Sequence, residues 1–321
     1  MAEHAGFDPR WLQPDASLNR TRLAPLPGAN PAWIGHAAFD LLSRAALLQL
    51  RDELSEAAAV NVFGCRLGHL IATLHRGAGV DSIQGDWRRA FRAHWTRVKE
   101  VWLGGGLAAS LGPKLLDATR SEAARLGATV PSIELAAFPS ALPLIGAARM
   151  TSARTQHAVV LDFGHTTVKR GVATYSGKAL TELRLLDLRD APARADISAA
   201  VAETIADTMR WAVAEDGIGV GDVIVVSLAS YLDRRGNPAD THSLYAALQP
   251  MQLQHAVRQR TGRRSVRVRL THDGTAAAYG VIPATTPAAV IVLGTALGVG
   301  FAPPPDYLRP LAANFTLTNT D

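Results

Sequence analysis

A short run of chemically active side chains follows an apolar segment near the middle of the chain. Asp162 closes the apolar segment, and the next residues carry a glycine, two hydroxyl groups and an ammonium group. These residues are Gly164, Thr166, Thr167 and Lys169. A buried strand that enters a tight hairpin presents such groups at its tip, where hydroxyls, backbone N–H groups and a cation can receive a phosphate. The pattern predicts a phosphate-binding hairpin, and an ordinary acidic β-turn is the alternative.

Two further segments carry residue types suited to phosphate chemistry. Gly294, Thr295 and Gly298 follow a short apolar run, and glycines there would let the backbone approach phosphate oxygens closely. Asp273 opens an alanine-rich segment after another predicted strand. A carboxylate suits phosphoryl transfer, which needs positioning more than a powerful base. The alternative role of Asp273 is to cap the alanine-rich helix.

The elements that must position these residues alternate between helices and strands. Helical spacing of apolar residues predicts two helices in 36–74 and further helices in 86–99, 196–215 and 243–261. Apolar or alternating runs predict strands in 101–103, 133–135, 158–175, 223–229, 266–270 and 289–293. Such alternation predicts an α/β fold.

Composition narrows the class of protein. Of 321 residues, 48% are hydrophobic, which suits one large or two ordinary folded domains. The net charge is +5, but the 33 basic residues are scattered along the chain. We therefore expect a solvated surface and no nucleic-acid partner, even for the densest basic run, 258–269. Cys65 is the only cysteine, which excludes internal disulfides and cysteine zinc sites.

The sequence shows no pattern that directs it to a membrane or out of the cell. It opens without a secretory signal, and no apolar run reaches the roughly eighteen residues that a membrane span needs. We therefore expect a cytoplasmic protein with no membrane partner. The glycine-rich run 216–221 lies after a helix and before a strand, the reverse of a dinucleotide-binding motif, so it is interpreted as a turn.

Four segments carry a resemblance to known proteins. Asp162–Lys169 resembles the first phosphate loop, D-x-G-x-T-x-x-K, of the actin/hexokinase/Hsp70 superfamily. Gly294–Gly298 resembles the second phosphate loop, G-T-G-x-G, of the ROK (repressor, open reading frame, kinase) sugar kinases, with Ala296 replacing the middle glycine. Leu103–Gly106 resembles their adenosine segment, I-G-G-G. Thr271–Ala278 is similar to their N-D-A-x-A-A motif, with His272 replacing the asparagine.

The resemblance implies a two-domain, actin-like ATPase fold of ribonuclease H-like type that is circularly permuted. In ROK kinases the first phosphate loop opens the chain and the adenosine segment closes it, whereas here the adenosine segment comes first. The implied domains are 36–150 with 271–321, which carry the adenosine segment and second phosphate loop, and 151–270, which carry the first. Residues 1–35 are an N-terminal extension. The strands at 101–103 and 289–293 should then share a sheet.

The resemblance also implies an activity, an ATP- and Mg²⁺-dependent kinase for a hydroxyl of a sugar or sugar-like molecule. Asp273 would be the catalytic base, and Asp162 would hold the metal through water. The phosphates would contact Gly164, Thr166, Thr167, Lys169, Gly294, Thr295 and Gly298. The adenosine would lie against Gly104, Gly105 and Gly106. The acceptor would contact Ser227, Ser230, His272 and His36.

Two alternatives use the same fold. A non-catalytic sensor that binds ATP and a sugar would explain Ala296 and the altered sugar motifs, such as Trp33 where ROK kinases have a glutamate. The other alternative is an ATPase that acts on a protein partner, and the lack of a peptide-binding domain disfavours it. The acceptor and the oligomeric state stay open, with a homodimer as one option.

Overall fold

The structure of the chain is a computed structural model. It describes residues 41–76, 93–126, 130–152, 154–193, 196–216, 219–233, 236–238, 243–283, 287–302 and 308–319. The N-terminal extension, His36 and much of the predicted helix 86–99 lie outside these residues.

Helices and strands alternate along the described chain, as an α/β fold requires. The helices are α1 (Arg44–Glu53), α2 (Glu56–His75), α3 (Gly105–Leu126), α4 (Leu142–Arg149), α5 (Ile197–Asp216), α6 (Pro250–Thr261) and α7 (Asp273–Gly280). The strands are β1 (Glu100–Gly104), β2 (Ser132–Leu135), β3 (His157–Phe163), β4 (Thr167–Ser176), β5 (Ala179–Asp190), β6 (Val223–Leu228), β7 (Arg267–His272), β8 (Ala288–Leu293), β9 (Leu297–Phe301) and β10 (Leu311–Asn319).

The chain divides into two compact units. Unit 1 comprises Met1–Ser140 and Pro283–Val299, and unit 2 comprises Ala141–Ile282 and Gly300–Asp321. The predicted domains divided the chain elsewhere: they placed α4, α7 and β10 with the second phosphate loop, whereas all three belong to unit 2. In the structure α4 and α7 pack against each other so closely that a Cβ on Gly146 would lie 1.7 Å from the carbonyl oxygen of Ala276. Both helices also contact β6 of unit 2.

Unit 1 contains a four-stranded sheet in the order β2-β1-β8-β9. β1 runs parallel to both β2 and β8, with Leu103 opposite Ile291. The prediction that the strands at 101–103 and 289–293 share a sheet is therefore confirmed. Helices α2 and α3 pack together at two glycines, since a Cβ on Gly68 would lie 2.4 Å from the carbonyl oxygen of Thr119.

Helix α2 corrects one expectation from the sequence. By length and composition it is apolar enough to cross a membrane, with a mean hydropathy of 1.3 over an eighteen-residue window. The expectation that no run is long and apolar enough was therefore wrong. About two-thirds of that window (67%) is buried inside the protein, and α2 packs against α3. Burial of this kind is typical of a core helix.

Unit 2 contains a six-stranded sheet in the order β10-β5-β4-β3-β6-β7. Strands β3, β4 and β5 form an antiparallel meander, and β6 and β7 continue the sheet parallel to β3. The C-terminal strand β10 joins the outer edge parallel to β5. The sheet positions the ends of β3, β6 and β7 side by side, which brings their terminal side chains together.

The two faces of this sheet differ in what they carry. Val159, Leu161 and Phe163 of β3 point into a core that α5 and α6 cover. Side chains alternate along a strand, so Asp162 points to the opposite face. Helix α4 packs on β3, and α7 contacts β6 and β7. The alternation therefore separates the hydrophobic core from the face that holds the candidate chemistry.

The arginine-rich run 258–269 contributes to the edge of unit 2. Arg258 donates to the carbonyl oxygen of Val266 at 3.0 Å, and Arg269 donates to that of Met150 at 3.1 Å. Arg260 pairs with Glu203 at 2.8 Å, and Arg263 pairs with Asp222. These four arginines make contacts within the protein, which gives each of them a structural role.

Candidate active site

The hairpin that was predicted to bind phosphate consists of β3, a tight turn and β4. Asp162 and Lys169 lie directly opposite each other in the antiparallel ladder, and the Lys169 Nζ is 3.3 Å from the Asp162 Oδ2. The N–H of Gly164 donates to the carbonyl oxygen of Thr167 at 3.0 Å, which closes the turn. Thr166 is exposed at the tip, and Lys169 keeps 29% of its side chain exposed. The tip therefore presents hydroxyl and ammonium groups to solvent.

The role of Gly164 differs from the one that the resemblance implies. Its N–H is used inside the turn, and its carbonyl oxygen accepts from the hydroxyl of Tyr245 at 2.6 Å. A Cβ at this position would lie 3.0 Å from the carbonyl oxygen of Thr167. Gly164 thus makes the turn tight, and its N–H and carbonyl groups are both used inside the protein.

Asp162 is buried and held from two sides. It is only 5% exposed. Ser227 lies opposite it in the parallel ladder of β3 and β6, and the Ser227 hydroxyl donates to the Asp162 Oδ1 at 2.5 Å. Lys169 contacts the other oxygen. Ser227 was predicted to contact the acceptor, but in the structure it is fully buried and holds Asp162 instead.

Asp273 lies where β7 ends and α7 begins. The N-cap of α7 is His272 rather than Asp273, because the His272 Nδ1 accepts from the N–H of Thr275 at 3.3 Å. The Asp273 Oδ1 accepts from the N–H of Gly274 at 2.6 Å and lies 3.1 Å from the His272 Nε2. Since Nδ1 is an acceptor, the ring proton is on Nε2, the nitrogen that faces the carboxylate. Asp273 keeps 22% of its side chain exposed.

The electrostatic surroundings of Asp273 set it apart from an ordinary aspartate. Burial raises the pKa of Asp273 to about 7, and the negative charge of Asp162 adds to the rise. Lys169 acts in the opposite direction. Burial also lowers the pKa of His272 to about 4, so its ring is neutral near pH 7. A carboxylate with a pKa near the working pH is well matched to general-base catalysis.

The loop after β6 brings an aromatic ring to this site. The ring of Tyr231 stacks on that of His272, with centroids 4.4 Å apart and 21° between the planes. Ser230 was predicted to contact the acceptor. It is buried, and its hydroxyl lies 3.4 Å from the carbonyl oxygen of Tyr231. Tyr231 and the two ring contacts of His272 were not predicted from the sequence.

The sequence also gave no sign of Tyr245. This residue lies between β6 and α6, far from the hairpin along the chain, yet it is fully buried beneath the turn. Its ring packs edge-on against Phe163, with centroids 6.1 Å apart. Tyr245 occupies a part of the chain where a continuous helix, 243–261, was predicted, whereas α6 begins only at Pro250.

The glycine segments that were predicted to contact nucleotide come together in unit 1. Gly105 has φ = +92°, and a Cβ there would lie 2.2 Å from the carbonyl oxygen of Leu293, immediately before the second predicted phosphate loop. Gly104 ends β1 and is buried, whereas Gly106 is exposed with open space around its α-carbon. Only a glycine fits at 105 for packing reasons, while Gly106 is open to a ligand.

The second predicted phosphate loop is a turn between β8 and β9. The N–H of Gly294 donates to the carbonyl oxygen of Ala296 at 3.2 Å, and the Gly294 carbonyl oxygen accepts from the N–H of Arg44 at 3.0 Å. Thr295 is exposed, and Gly298 is half-buried in β9. Gly294 is thus engaged within unit 1, which leaves Thr295 as the most accessible residue of this loop.

The donor set around Asp162 does not fit a directly coordinated magnesium ion. One oxygen of the carboxylate accepts from Ser227, and the ammonium group of Lys169 is beside the other. Magnesium is usually bound by one or two carboxylates together with waters and substrate phosphates. Among the described residues, no group of three or more metal-binding side chains occurs. Contact between Asp162 and magnesium through water stays a prediction.

Comparison with known proteins leaves the family open. No model of a known protein family matches the chain, and no curated protein matches it either. The case for a function therefore depends on the four sequence motifs and on the geometry of the site.

Proposed function

We propose that this chain is an ATP- and magnesium-dependent phosphotransferase that phosphorylates a hydroxyl group of a sugar-like molecule. The proposal includes a circularly permuted, actin-like ATPase fold of ROK type and a cytoplasmic location. One observation carries it. Asp273, whose Oδ1 lies 3.1 Å from the His272 Nε2, has a pKa raised to about 7, and the charges of Asp162 and Lys169 at the hairpin both act on that pKa.

The side chains of unit 2 can divide the work of phosphoryl transfer. Lys169 and the exposed Thr166 bind phosphate oxygens at the turn, and Asp162 fixes the ammonium group of Lys169. Asp273 accepts the proton of the acceptor hydroxyl as that oxygen bonds to the γ-phosphorus. The bond from the γ-phosphorus to the bridging oxygen breaks, and ADP leaves. If magnesium binds, Asp162 would hold it through water, and the ion would supply positive charge against the phosphates.

His272 and Tyr231 set the orientation of the proposed base. The N–H of Thr275 holds the His272 ring by its Nδ1, the Tyr231 ring stacks on one face, and Nε2 points to Asp273. The neutral ring therefore places a proton donor beside a carboxylate without adding a positive charge. This arrangement supports the ionised form of Asp273, the form that takes up a proton.

A non-catalytic nucleotide sensor is the second candidate, and one observation favours it. Ser227 donates a hydrogen bond to one oxygen of Asp162, and the ammonium group of Lys169 lies beside the other. The charge of the carboxylate is therefore compensated within the protein before any ligand binds. A site of this kind can bind phosphates at the turn without holding the metal ion that phosphoryl transfer needs. Ala296 in the second loop points the same way.

Calorimetric titration with ATP and magnesium, followed by a phosphorylation screen, separates the candidates. The screen covers sugars, aminosugars, polyols and aminoglycosides, with labelled ATP as the donor. Binding of ATP with transfer to one of these acceptors is the result expected of a kinase. Binding without transfer to any acceptor supports the sensor, and absence of ATP binding contradicts both.

A further inference from the structure

Tyr245 links two parts of the site that are far apart in sequence. Its hydroxyl donates to the carbonyl oxygen of Gly164 at 2.6 Å, and its ring packs edge-on against Phe163. The side chain is fully buried, with 0% exposed. One residue therefore contacts both the last position of β3 and the first position of the phosphate turn.

The backbone of Tyr245 is tied to the loop that follows β6. Its N–H donates to the Ser243 hydroxyl oxygen at 3.1 Å, and that hydroxyl donates to the carbonyl oxygen of Ala229 at 2.9 Å. The N–H of Ala229 in turn donates to the carbonyl oxygen of Phe163 at 2.9 Å. Ala229 is followed by Ser230 and by Tyr231, whose ring stacks on that of His272. Together with the bond from the Tyr245 hydroxyl to Gly164, these hydrogen bonds form a closed circuit that joins Phe163 and Gly164 to Ala229.

The hydroxyl of Tyr245 is protonated at neutral pH and acts there as a hydrogen-bond donor. Burial raises the pKa of Tyr245 well above its ordinary value, and the charges of Asp162 and Asp273 raise it further. The hydroxyl is therefore near both carboxylates but bonds to neither, since its proton goes to Gly164. The side chain can hold the turn without taking up or releasing a proton.

We propose that Tyr245 is a positioning residue that holds the turn 164–167 against the loop 229–231 through the hydrogen bond of its hydroxyl to Gly164 and the hydrogen bond of its N–H to Ser243. The proposal rests on the proposed function for the identity of the ligand, ATP. It predicts that removing only the hydroxyl loosens the turn and misplaces the phosphates relative to Asp273. The residue contacts neither phosphate nor acceptor itself.

Tyr245→Phe tests this with a matched control elsewhere in unit 2. Tyr175 is also buried, and its hydroxyl donates to the carbonyl oxygen of Ala148 at 2.9 Å, so Tyr175→Phe loses the same kind of bond away from the site. Hydrogen exchange is measured for the backbone amides of 164–167 in both variants. Exchange in Tyr245→Phe should quicken roughly tenfold, the scale of one lost hydrogen bond. Tyr175→Phe should leave it unchanged.

Kinetics and binding complete the test. In Tyr245→Phe the dissociation constant of ATP should rise and kcat should fall, each by roughly tenfold, whereas Tyr175→Phe should change neither. Ser243→Ala, which breaks the circuit at another bond, should also quicken exchange at 164–167. Equal losses of thermal stability in the two tyrosine variants, with wild-type exchange and ATP affinity in both, would overturn the proposal.

The proposed function can fail separately. If wild-type protein binds no ATP, the phosphotransferase proposal fails, and the exchange measurement still decides whether Tyr245 holds the turn. Faster exchange at 164–167 in Tyr245→Phe alone then supports the positioning role. Unchanged exchange overturns it.

Discussion

The two units carry the predicted nucleotide motifs in different ways. In unit 2 the motif residues are charged side chains that converge, with Lys169 beside Asp162 and both acting on the pKa of Asp273. In unit 1 the motif residues are glycines whose positions follow from backbone geometry, as Gly105 shows with φ = +92° and its contact with Leu293. The motif residues of unit 1 are therefore explained by backbone geometry, whereas those of unit 2 are ionisable side chains that act on one another.

This difference separates two kinds of evidence for function. A glycine that is required for packing would be present whether or not a nucleotide binds, so Gly105 supports the fold more than the activity. Packing does not explain Asp273 in this way: its pKa is raised by burial and by the charge of Asp162, and placing a charged group in such surroundings is costly. We therefore infer function mainly from the residues of unit 2, and variants in both units test that assignment.

The largest effect is expected at Asp273. Asp273→Asn keeps the size of the side chain and an oxygen for the N–H of Gly274, so the fold and ATP binding should persist. Loss of the proton acceptor should lower kcat by roughly 10²–10⁴, the usual scale of a general base. The measurement is transfer from labelled ATP, with ATP affinity determined in parallel. The N-cap of α7 is His272, so capping does not explain Asp273. A rate that Asp273→Asn leaves nearly unchanged would contradict the assignment of Asp273 as the base.

The next effect is expected at the phosphate turn. Thr166→Val combined with Lys169→Ala removes a hydroxyl and the ammonium group that faces Asp162. Each lost bond to a charged phosphate costs about 1.5–3 kcal/mol, so the dissociation constant of ATP should rise at least about tenfold. Calorimetry measures it. Lys178→Ala, in the exposed turn between β4 and β5, is the control and should bind like wild type. Unchanged affinity in the double variant would mean that the nucleotide binds elsewhere or that this hairpin has no nucleotide-binding role.

A smaller effect should distinguish the glycines of unit 1. Gly105→Ala forces a residue with a side chain into positive φ and against the carbonyl oxygen of Leu293, so we expect it to destabilise the protein by about 2–4 kcal/mol. Gly106→Ala meets nothing within 4 Å and should change stability by less than about 1 kcal/mol. Urea unfolding measures both. Equal stabilities would mean that Gly105 is not held by packing, and the contrast between the units would lose its basis.

A further effect concerns the dependence of stability on pH. The pKa of Asp273 is raised to about 7, so the folded state holds this proton more tightly than the unfolded chain. Its contribution to stability is greatest below about pH 4, falls as pH rises toward 7 and is constant above. Asp273→Asn removes that fall, so the variant should gain stability relative to wild type by at most about 1.4 kcal/mol per pH unit. Urea midpoints of both proteins at several pH values measure the gain.

His272 provides a control with the opposite sign. Its pKa is lowered to about 4, so its contribution to stability is small at low pH and grows as pH rises from 4 toward 6.5. His272→Asn keeps an acceptor for the N–H of Thr275 but removes this growth. The variant should therefore lose stability relative to wild type over the same range. A difference from wild type that is independent of pH in both variants would show that neither pKa is displaced.

The sequence predicted those parts of the fold and site that depend on local pattern. The hairpin at 158–175 was marked by alternation and a glycine turn, and the structure has it as β3 and β4. The pairing of Lys169 with Asp162 then follows from the antiparallel register of a short hairpin. The strand at 289–293 was a continuous apolar run, and it pairs with β1 as the order of motifs indicated.

The parts that were missed depend on contacts between distant segments. β5 mixes charged and apolar residues because much of it is only partly buried, and β10 is a partly exposed edge strand with a weak pattern. Tyr245 has no motif, since its partner Gly164 is 81 positions away along the chain. Ser227 meets Asp162 only because β6 pairs with β3 in that register. No local spacing encodes these contacts.

The proposed base, Asp273, should have a pKa near 7 in the folded protein. An NMR titration of protein labelled with ¹³C at the aspartate carboxyl groups tests it without a ligand, and Asp273→Asn assigns the resonance. We predict that one aspartate signal titrates near pH 7 and is missing from the variant. A signal for Asp273 that titrates near pH 4, as an ordinary aspartate does, would contradict the account.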